Sequence, residues 1–475
     1  MKQTQGHEMT ILNFHRTADY VGRTCLFAVV WLVIALTVQA ADTHYVSMPG
    51  GYGTNDTAGG YTNWAGAATQ IQWAVDAAGA GDTVLVTNGT YNLTNQIFLT
   101  NSITLQSVNG RDFTFINGNY PAYSNRCLLW SNQTATIDGF TMSNGYIVGH
   151  AGGVYMYGGT LKNCSICNNY GSSGGGIYMD DYITARTYYI FNCIINSNRG
   201  GGYGAAGVTS IKGGGGTSGY ISNCVISYNT ATSAGGSGGL AVQGLKVLYS
   251  EISYNTGTIG GIFTGWYSTI SRCKIIGNSG TTCGGVSITV GYLITGGFDD
   301  CLIYGNRATT GAGGVVIAWA PYAGYQYLRN LTIVSNSTDS LTNAGGIYFY
   351  GTTGATTNAL YNSIVYFNSS GGACSNVYNN GITNIFVRNS CIGMTNGAFS
   401  PSTDINNVIY ADPLLIDLPA ANCRLSSSSP CINAGYYESW MATGLDLDNR
   451  IRLRYGIVDL GAYEFIRSGT IYGFH

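Results

Sequence analysis

The chain is predicted to be all-β: a right-handed parallel β-helix solenoid with an N-terminal capping helix and a loop-rich C-terminal cap. Three observations carry that prediction. First, an apolar residue, two variable residues and an asparagine recur nine times. The closing asparagines are Asn144, Asn169, Asn198, Asn229, Asn255, Asn278, Asn306, Asn336 and Asn368, spaced 23 to 32 residues apart. Second, a small-residue pair followed by an aliphatic stands between most of them, as in Gly152-Gly153-Val154, Gly238-Gly239-Leu240 and Gly284-Gly285-Val286. Third, apolar residues alternate over short runs bounded by Gly, Asn, Ser or Thr, which is the period of a strand. A repeat of this length stacks as a solenoid.

Residues 1–40 stand apart. Arg16 and Arg23 precede an apolar run at 26–38, which ends at Val38-Gln39-Ala40. A basic region, a short apolar core and small residues at the end describe a secretory signal cleaved after Ala40. The run is shorter than the roughly 20 residues that span a bilayer.

Residues 41–100 hold the N-terminal cap and the first coil. Within 68–79, Ile71, Trp73, Ala74, Val75 and Ala78 fall at helical spacing and Gly79 stops the run, so a short amphipathic helix is expected over the open end of the core. A first strand follows at Gly81-Asp82-Thr83-Val84-Leu85-Val86.

Residues 101–400 are the coils. Three short strands and their turns account for the repeat length, and neighbouring coils stack about 4.8 Å apart. The recurring asparagine is expected to take the left-handed turn conformation and to bond with its counterparts above and below. The glycine pair is expected to make a second tight corner. Proline is nearly absent, as strands bonded on both edges require. Neither a recurring Leu-x-x-Leu-x-Leu phrase nor a period of about 40 residues is present, which excludes leucine-rich repeats and propellers.

Cys164, Cys193, Cys224, Cys273 and Cys301 occupy one repeat position, two before the isoleucine, and are expected as a column of buried thiols. Cys164-x-x-Cys167 is no zinc site, because residues three apart on a strand face opposite ways. Around residue 400 the glycine pairs vanish and Pro, Asp and Arg appear, marking a module at 401–475. In its loop-rich sequence Cys423 and Cys431 are the expected disulfide pair.

Composition narrows the function classes. Charged residues are 9% of the chain, hydrophobic residues 45%, and the formal net charge is −2. That leaves no long-range field for nucleic acid, and no basic cluster interleaves with aromatics. The hydrophobic fraction and its periodicity also exclude a disordered chain.

Ile71-Gln72-Trp73-Ala74-Val75-Asp76-Ala77-Ala78, Gly81-Asp82-Thr83-Val84 and Gly89-Thr90-Tyr91 resemble the entry to pectate-lyase-like β-helix proteins. The closing segment resembles the choice-of-anchor Q domain of secreted bacterial β-helix proteins. Its matching residues are Asp412-Pro413-Leu414, Cys423-Arg424-Leu425, Ser429-Pro430-Cys431-Ile432-Asn433-Ala434-Gly435, Asp446-Leu447-Asp448, Arg450 and Val458-Asp459-Leu460-Gly461-Ala462-Tyr463-Glu464. The Gly-Gly-aliphatic phrase is also similar to chlamydial polymorphic outer-membrane proteins, which favour Phe where this chain has Ile. The resemblance implies export from a bacterium and a surface or extracellular role, and no established reaction.

β-Helices that cleave polysaccharides use paired carboxylates, or calcium with a basic residue. Between 145 and 400 the acidic residues are Asp180, Asp181, Glu251, Asp299, Asp300 and Asp339. Asp300 shares its column with Asn163, Asn192, Asn223, Asn330 and Asn362 and reads as a turn residue. Asp180 and Asp181 with Arg186, and His150 about one coil earlier, form the catalytic candidate. Polygalacturonase-like enzymes place a Gly-His-Gly after their acid pair, whereas Gly149-His150-Ala151 comes before it here. Tyr155, Tyr178 and Tyr348 follow an inward aliphatic and are candidates to stack on sugars. Asp446-x-Asp448 with Asn449 offers oxygen ligands for calcium; alternatively, Arg450, Arg452 and Arg454 pair with Asp446, Asp459 or Glu464 to fix the cap. Together these readings predict a secreted or cell-surface, adhesin-like protein that binds glycans. The alternative is a polysaccharide lyase or glycoside hydrolase acting on an acidic polysaccharide.

Overall fold

A computed structural model describes residues 40–51, 53–180, 186–200, 202, 204–211, 218–265, 267–290, 297–319, 325–351, 357–372, 376–380, 382, 384–393, 404–453 and 456–466. The expected signal segment (all but Ala40) and Asp181 lie outside these residues. The described residues from Ala41 onward form one compact unit.

One coil shows how the repeat folds. Val154–Met156, Gly159–Lys162, Ser165–Cys167 and Tyr170–Ser173 are successive short strands, and the next coil begins at Ile177–Asp180. Each strand pairs in parallel with its counterparts one coil away, building sheets of 25, 9 and 11 strands. The fold is a parallel β-helix. Its coil-to-coil crossovers take the right hand that parallel connections favour.

The sequence predicted three strands per coil, and the structure has four. The extra break falls at Asn163, Asn192, Asn223, Asp300, Asn330 and Asn362, all with φ between 49° and 58°. A single left-handed residue bends the strand there, and Asn and Asp adopt that conformation most readily. The turn role expected of Asp300 is therefore observed.

The recurring asparagine plays a different part from the one expected. The left-handed residue of its corner is the one before it: Asn168, Ser197, Tyr228, Tyr254, Ser335 and Phe367 all have φ near 56°. The repeated asparagine itself is buried and hydrogen-bonded. Asn255 Oδ1 accepts from Asn229 N (3.0 Å) and Asn229 Nδ2 (2.9 Å), while its own Nδ2 donates to Ile226 O (2.8 Å) and Asn278 Oδ1 (3.0 Å). This ladder runs from Asn169 through Asn368 and ends on Asn376. Asn144 does not belong to it. It takes the left-handed position (φ 55°), and Gly145 N donates to Asn169 Oδ1 in its place.

The glycine pairs answer to close approach. A Cβ on Gly239 would lie 2.6 Å from Gly261 O, and one on Gly261 would lie 2.5 Å from Gly285 O. The next coil's carbonyl occupies the space a side chain would need.

Inside, one continuous core runs the length of the coils, including Trp130, Phe140, Phe298, Phe349 and the cysteine column. Helix Ile71–Ala77 covers its N-terminal end with Ile71, Ala74 and Val75; Trp73, expected inward, is exposed. The C-terminal segment packs on the outer side of the last coils. Leu302, Val334 and Ile364 are buried against Cys423, Leu425, Cys431, Leu460, Ala462 and Tyr463. Cys423 and Cys431 are buried free thiols, so the expected disulfide between them is not formed.

Buried acids hold this segment in place. Arg452 is fully buried, its Nε 2.7 Å from Asp300 and its Nη1 2.8 Å from Glu464. Burial raises Glu464 to about 8 against the lowering effect of Arg452. Burial likewise raises Asp299 to about 6 against Arg329. A carboxyl whose folded pKa is raised stabilises fully below its unfolded value and loses that contribution as pH climbs through the folded value. Thermal stability is therefore expected to fall between about pH 5 and about pH 9 as these two groups ionise. Glu464→Gln is expected to flatten the upper part of that decline. Melting temperatures that hold level or rise over this range would refute the assignment.

Candidate functional site

Register creates the site. Val154, Met156, Ile177 and Met179 point into the core, so Tyr155, Tyr178 and Asp180 face outward on neighbouring coils. Tyr155 donates its hydroxyl proton to Asp180 Oδ2 at 2.5 Å, and Tyr157 OH reaches Tyr155 OH at 3.4 Å. The His150 ring stacks on Tyr178 at 4.2 Å and 20°. Arg186 Nη1 donates to Asp180 O at 2.8 Å, and its guanidinium lies 4.2 Å over the Tyr157 ring.

Three of the four predicted catalytic residues, His150, Asp180 and Arg186, therefore converge with two of the three predicted binding tyrosines. Asp181 lies outside the described residues. Tyr178 is 6% exposed, since His150 covers its ring, so the face offered to a ligand is His150 and not Tyr178. Tyr348 is elsewhere. Six coil steps separate it from Tyr178 along the sheet, about 29 Å at the interstrand spacing. It packs against Tyr378 and Tyr350 in an aromatic cluster of its own.

Two members were missed from sequence. Tyr157 had a signal: it sits two residues after Tyr155, just past the end of strand Val154–Met156, and its ring meets that of Tyr155. Arg126 had none, because it comes from the preceding coil. Its Nη1 donates to Gln96 Oε1 (2.9 Å), its Nη2 to His150 O (3.2 Å), its Nε to Ala151 O (3.4 Å), and it lies 5.2 Å over Tyr155. Every acceptor that it reaches among the described residues is neutral.

The electrostatics follow from this packing. Partial burial lowers the His150 pKa below the ordinary imidazole value; Asp180 opposes the shift and Arg126 assists it. Burial, then the hydrogen bond to Asp180, holds the Tyr155 phenol well above its usual range. At neutral pH the site thus carries a neutral imidazole, a protonated phenol on an aspartate, and two guanidinium groups.

The proposed calcium ligands are committed otherwise. Asp446 Oδ1 accepts the N–H groups of Asp448 (2.9 Å) and Arg450 (2.7 Å), and Oδ2 accepts that of Glu464 (2.8 Å). Asp448 pairs through both oxygens with Arg424 at 2.6 Å and with Arg450 at 3.5 Å. These bonds fix the C-terminal loops through backbone N–H groups and Arg424; of the arginine pairings that the alternative reading named, Arg452 with Glu464 is present, and Arg454 lies outside the described residues. Among the described residues no group of three or more His, Cys, Asp or Glu is placed to hold a metal.

A second polar surface lies at the corner of left-handed residues. Two adjoining hollows of about 420 and 450 Å³ share Asn223 and Val225. The Arg111 loop walls one side, where Arg111 Nη1 donates to Asn192 O at 2.7 Å, and Leu447 and Asn449 wall the other.

No family model matches the chain, and no curated protein matches it. Solved structures do. The chain is similar to the pectate lyase Pel9A, at 15% identity over 89% of this chain and 96% of that one, with a TM-score of 0.45. It is also similar to the A-module of the Azotobacter vinelandii mannuronan C-5 epimerase AlgE6, at 11% identity over 72% and 94% of the two chains (TM-score 0.38). A third likeness is to the PL6-family polysaccharide lyase Pedsa3628 of Pseudopedobacter saltans, at 12% identity over 74% and 93% (TM-score 0.38). The fold assignment stands on the strand pairing itself. Among the described residues no helix is long and apolar enough to cross a membrane.

Proposed function

We propose that the chain binds an acidic polysaccharide on the outer face formed by Arg126, His150, Tyr155, Tyr157 and Arg186. The observation that carries this reading is Arg126: a half-buried guanidinium over an aromatic ring that meets only neutral acceptors among the described residues. A carboxylate-bearing sugar supplies the missing anion, and the aromatic rings supply a surface for its apolar face. The leader at 1–40 and the choice-of-anchor Q resemblance add export and a surface or extracellular, adhesin-like setting to this proposal.

Arg126→Gln is expected to weaken retention of a polyuronate about tenfold or more, the worth of one charged hydrogen bond, and to leave retention of neutral glucans unchanged. Affinity electrophoresis with both polymers measures it. An equal loss on both would mean that the arginine serves the fold and not the ligand.

One observation favours a reaction at the same place. A neutral His150 stands beside the Tyr155–Asp180 pair, with cations at hand to neutralise a uronate carboxylate. That set suits β-elimination: the base takes the proton next to the carboxylate, a carbon–carbon double bond forms, the glycosidic C–O bond breaks, and the leaving oxygen is protonated. Hydrolysis needs two opposed carboxyl groups; Asp180 is the only carboxylate among the described residues of this cluster. Ultraviolet absorbance of the unsaturated product, with and without calcium, detects elimination. The neutral imidazole is lost as pH falls through a pKa depressed below 6.5, so the acidic limb of cleavage is expected below pH 6.5. An acidic limb above that value, or cleavage that survives His150→Ala and Asp180→Asn, would remove these residues from the chemistry.

A further inference from the structure

The two hollows at the corner of left-handed residues lie where that corner changes composition. From Asn163 to Asn362 the corner has eight members on successive coils, and six of them are Asn or Asp. The exceptions are Tyr249 (φ 50°) and Arg272 (φ 53°), on adjacent coils. Bulky side chains take this conformation at a cost that Asn and Asp largely avoid. Here both exceptions line one hollow, together with Lys274.

The exchange also stops a ladder of side-chain amides. Asn163 Nδ2 donates to Asp138 Oδ1 at 2.7 Å, Asn192 Nδ2 to Asn163 Oδ1 at 3.2 Å, and Asn223 Nδ2 to Asn192 Oδ1. Tyr249 comes next in the column, so Asn223 Oδ1 receives no amide donor and is left facing the hollows.

Three cations line the hollows, and none of them forms an ion pair among the described residues. Arg111 donates through Nη1 to Asn192 O (2.7 Å) and Cys164 O (3.5 Å), which leaves its Nε and Nη2 without a partner there. Arg272 Nη1 donates to Tyr249 OH at 2.5 Å, and the guanidinium lies 5.1 Å over that ring. Lys274 is in register with Glu251, whose Oε1 accepts from Ser253 Oγ at 2.9 Å.

We propose that this groove is a second binding site, which takes an acidic oligosaccharide along the coil stack. Carboxylates on the sugar meet Arg111, Arg272 and Lys274. Asn223 Oδ1, Asp112 and Glu251 accept from its hydroxyls, and the exposed Val225 and Tyr249 offer an apolar surface to its rings. A sulfate ion would suit the groove poorly, because it has no hydroxyl to give those two carboxylates. Four coil steps separate Asn163 from Arg272, about 19 Å at the interstrand spacing, which suits a short chain and not a single ring. The ligand class rests on the reading under Proposed function, but none of the residues is shared with it.

Calorimetric titration of the Arg126→Gln variant, in which the first site is weakened, tests the groove. The probes are a short oligouronate and its carboxyl-reduced, neutral counterpart. Oligouronate binding is expected to persist in Arg126→Gln. Adding Lys274→Gln, or Tyr249→Asn with Arg272→Asn, should weaken it about tenfold or more. The asparagine variant restores the residue type used elsewhere at this corner. Lys274→Gln alters a side chain that forms no ion pair, and keeps the test valid should the asparagine variant fail to fold. No binding in Arg126→Gln, binding unchanged by Lys274→Gln, or equal binding of the neutral counterpart overturns the proposal. If Arg126→Gln binds as the wild type does and the groove variants do not, the groove stands and the Arg126 reading falls.

Discussion

Asn255→Ala is expected to destabilise the coils by about 3–5 kcal/mol. Four hydrogen bonds converge on this fully buried amide. Each is worth about 1 kcal/mol net, but removing the amide also strands partners that cannot reach water. Ile226 O loses its donor, and the Asn229 N–H and amide lose their acceptor. The missing atoms add a cavity. A turn asparagine gives the contrast. Asn168 holds φ 56° on the left-handed side of the same kind of corner, where glycine is equally at ease. Asn168→Gly is therefore expected to change stability by less than about 1 kcal/mol. Urea unfolding midpoints and hydrogen exchange of the adjacent coils measure both. Comparable losses at the two positions would show that the repeated asparagine acts through its backbone and not through its amide.

That contrast also shows where the sequence was legible. The period, the parallel stacking and the inward columns were all readable, because burial on a two-residue alternation writes itself into residue type. The division of labour at the corner was not. Asn168 and Asn169 are the same residue type with opposite roles, and nothing in their order says which one bends the chain. The fourth strand was hidden for a similar reason. Asn163 and Asn192 share the column in which Asp300 reads as a turn residue, but residue type alone did not show that a single left-handed φ there splits each strand in two.

The site was partly legible. His150, Asp180 and Arg186 could be suspected because they stand outside the repeat's committed columns, and the structure brings them together. Arg126 could not, since its place depends on a hydrogen bond to the main chain at His150, one coil on. Asp446 and Asp448 misled in the opposite direction. Alternate acidic residues in a loop look like oxygen ligands until their oxygens are seen to hold backbone N–H groups and Arg424.

Arg452→Met is expected to cost about 3–5 kcal/mol and to loosen the C-terminal module from the coils. The guanidinium is wholly buried and stands between Asp300, which belongs to the β-helix, and Glu464, which belongs to the module. Removing it leaves Asp300 buried without its cation, which is the expensive way to break such a pair. The net worth of the intact pair is much smaller, because desolvation offsets most of the Coulombic gain. The same arithmetic predicts a rescue: Arg452→Met combined with Asp300→Asn and Glu464→Gln removes the cation together with both of its paired carboxyl groups, leaving Asp446 and Asp459 on their backbone N–H partners, and is expected to recover most of the loss. The module also hides Leu302, Val334 and Ile364, so the single variant should bind a hydrophobic dye that the wild type and the triple variant do not. Denaturation midpoints and dye fluorescence decide it. If the triple variant is no more stable than the single one, then Arg452 holds the module by packing and its bond to Gly461 O, not by balancing buried charge.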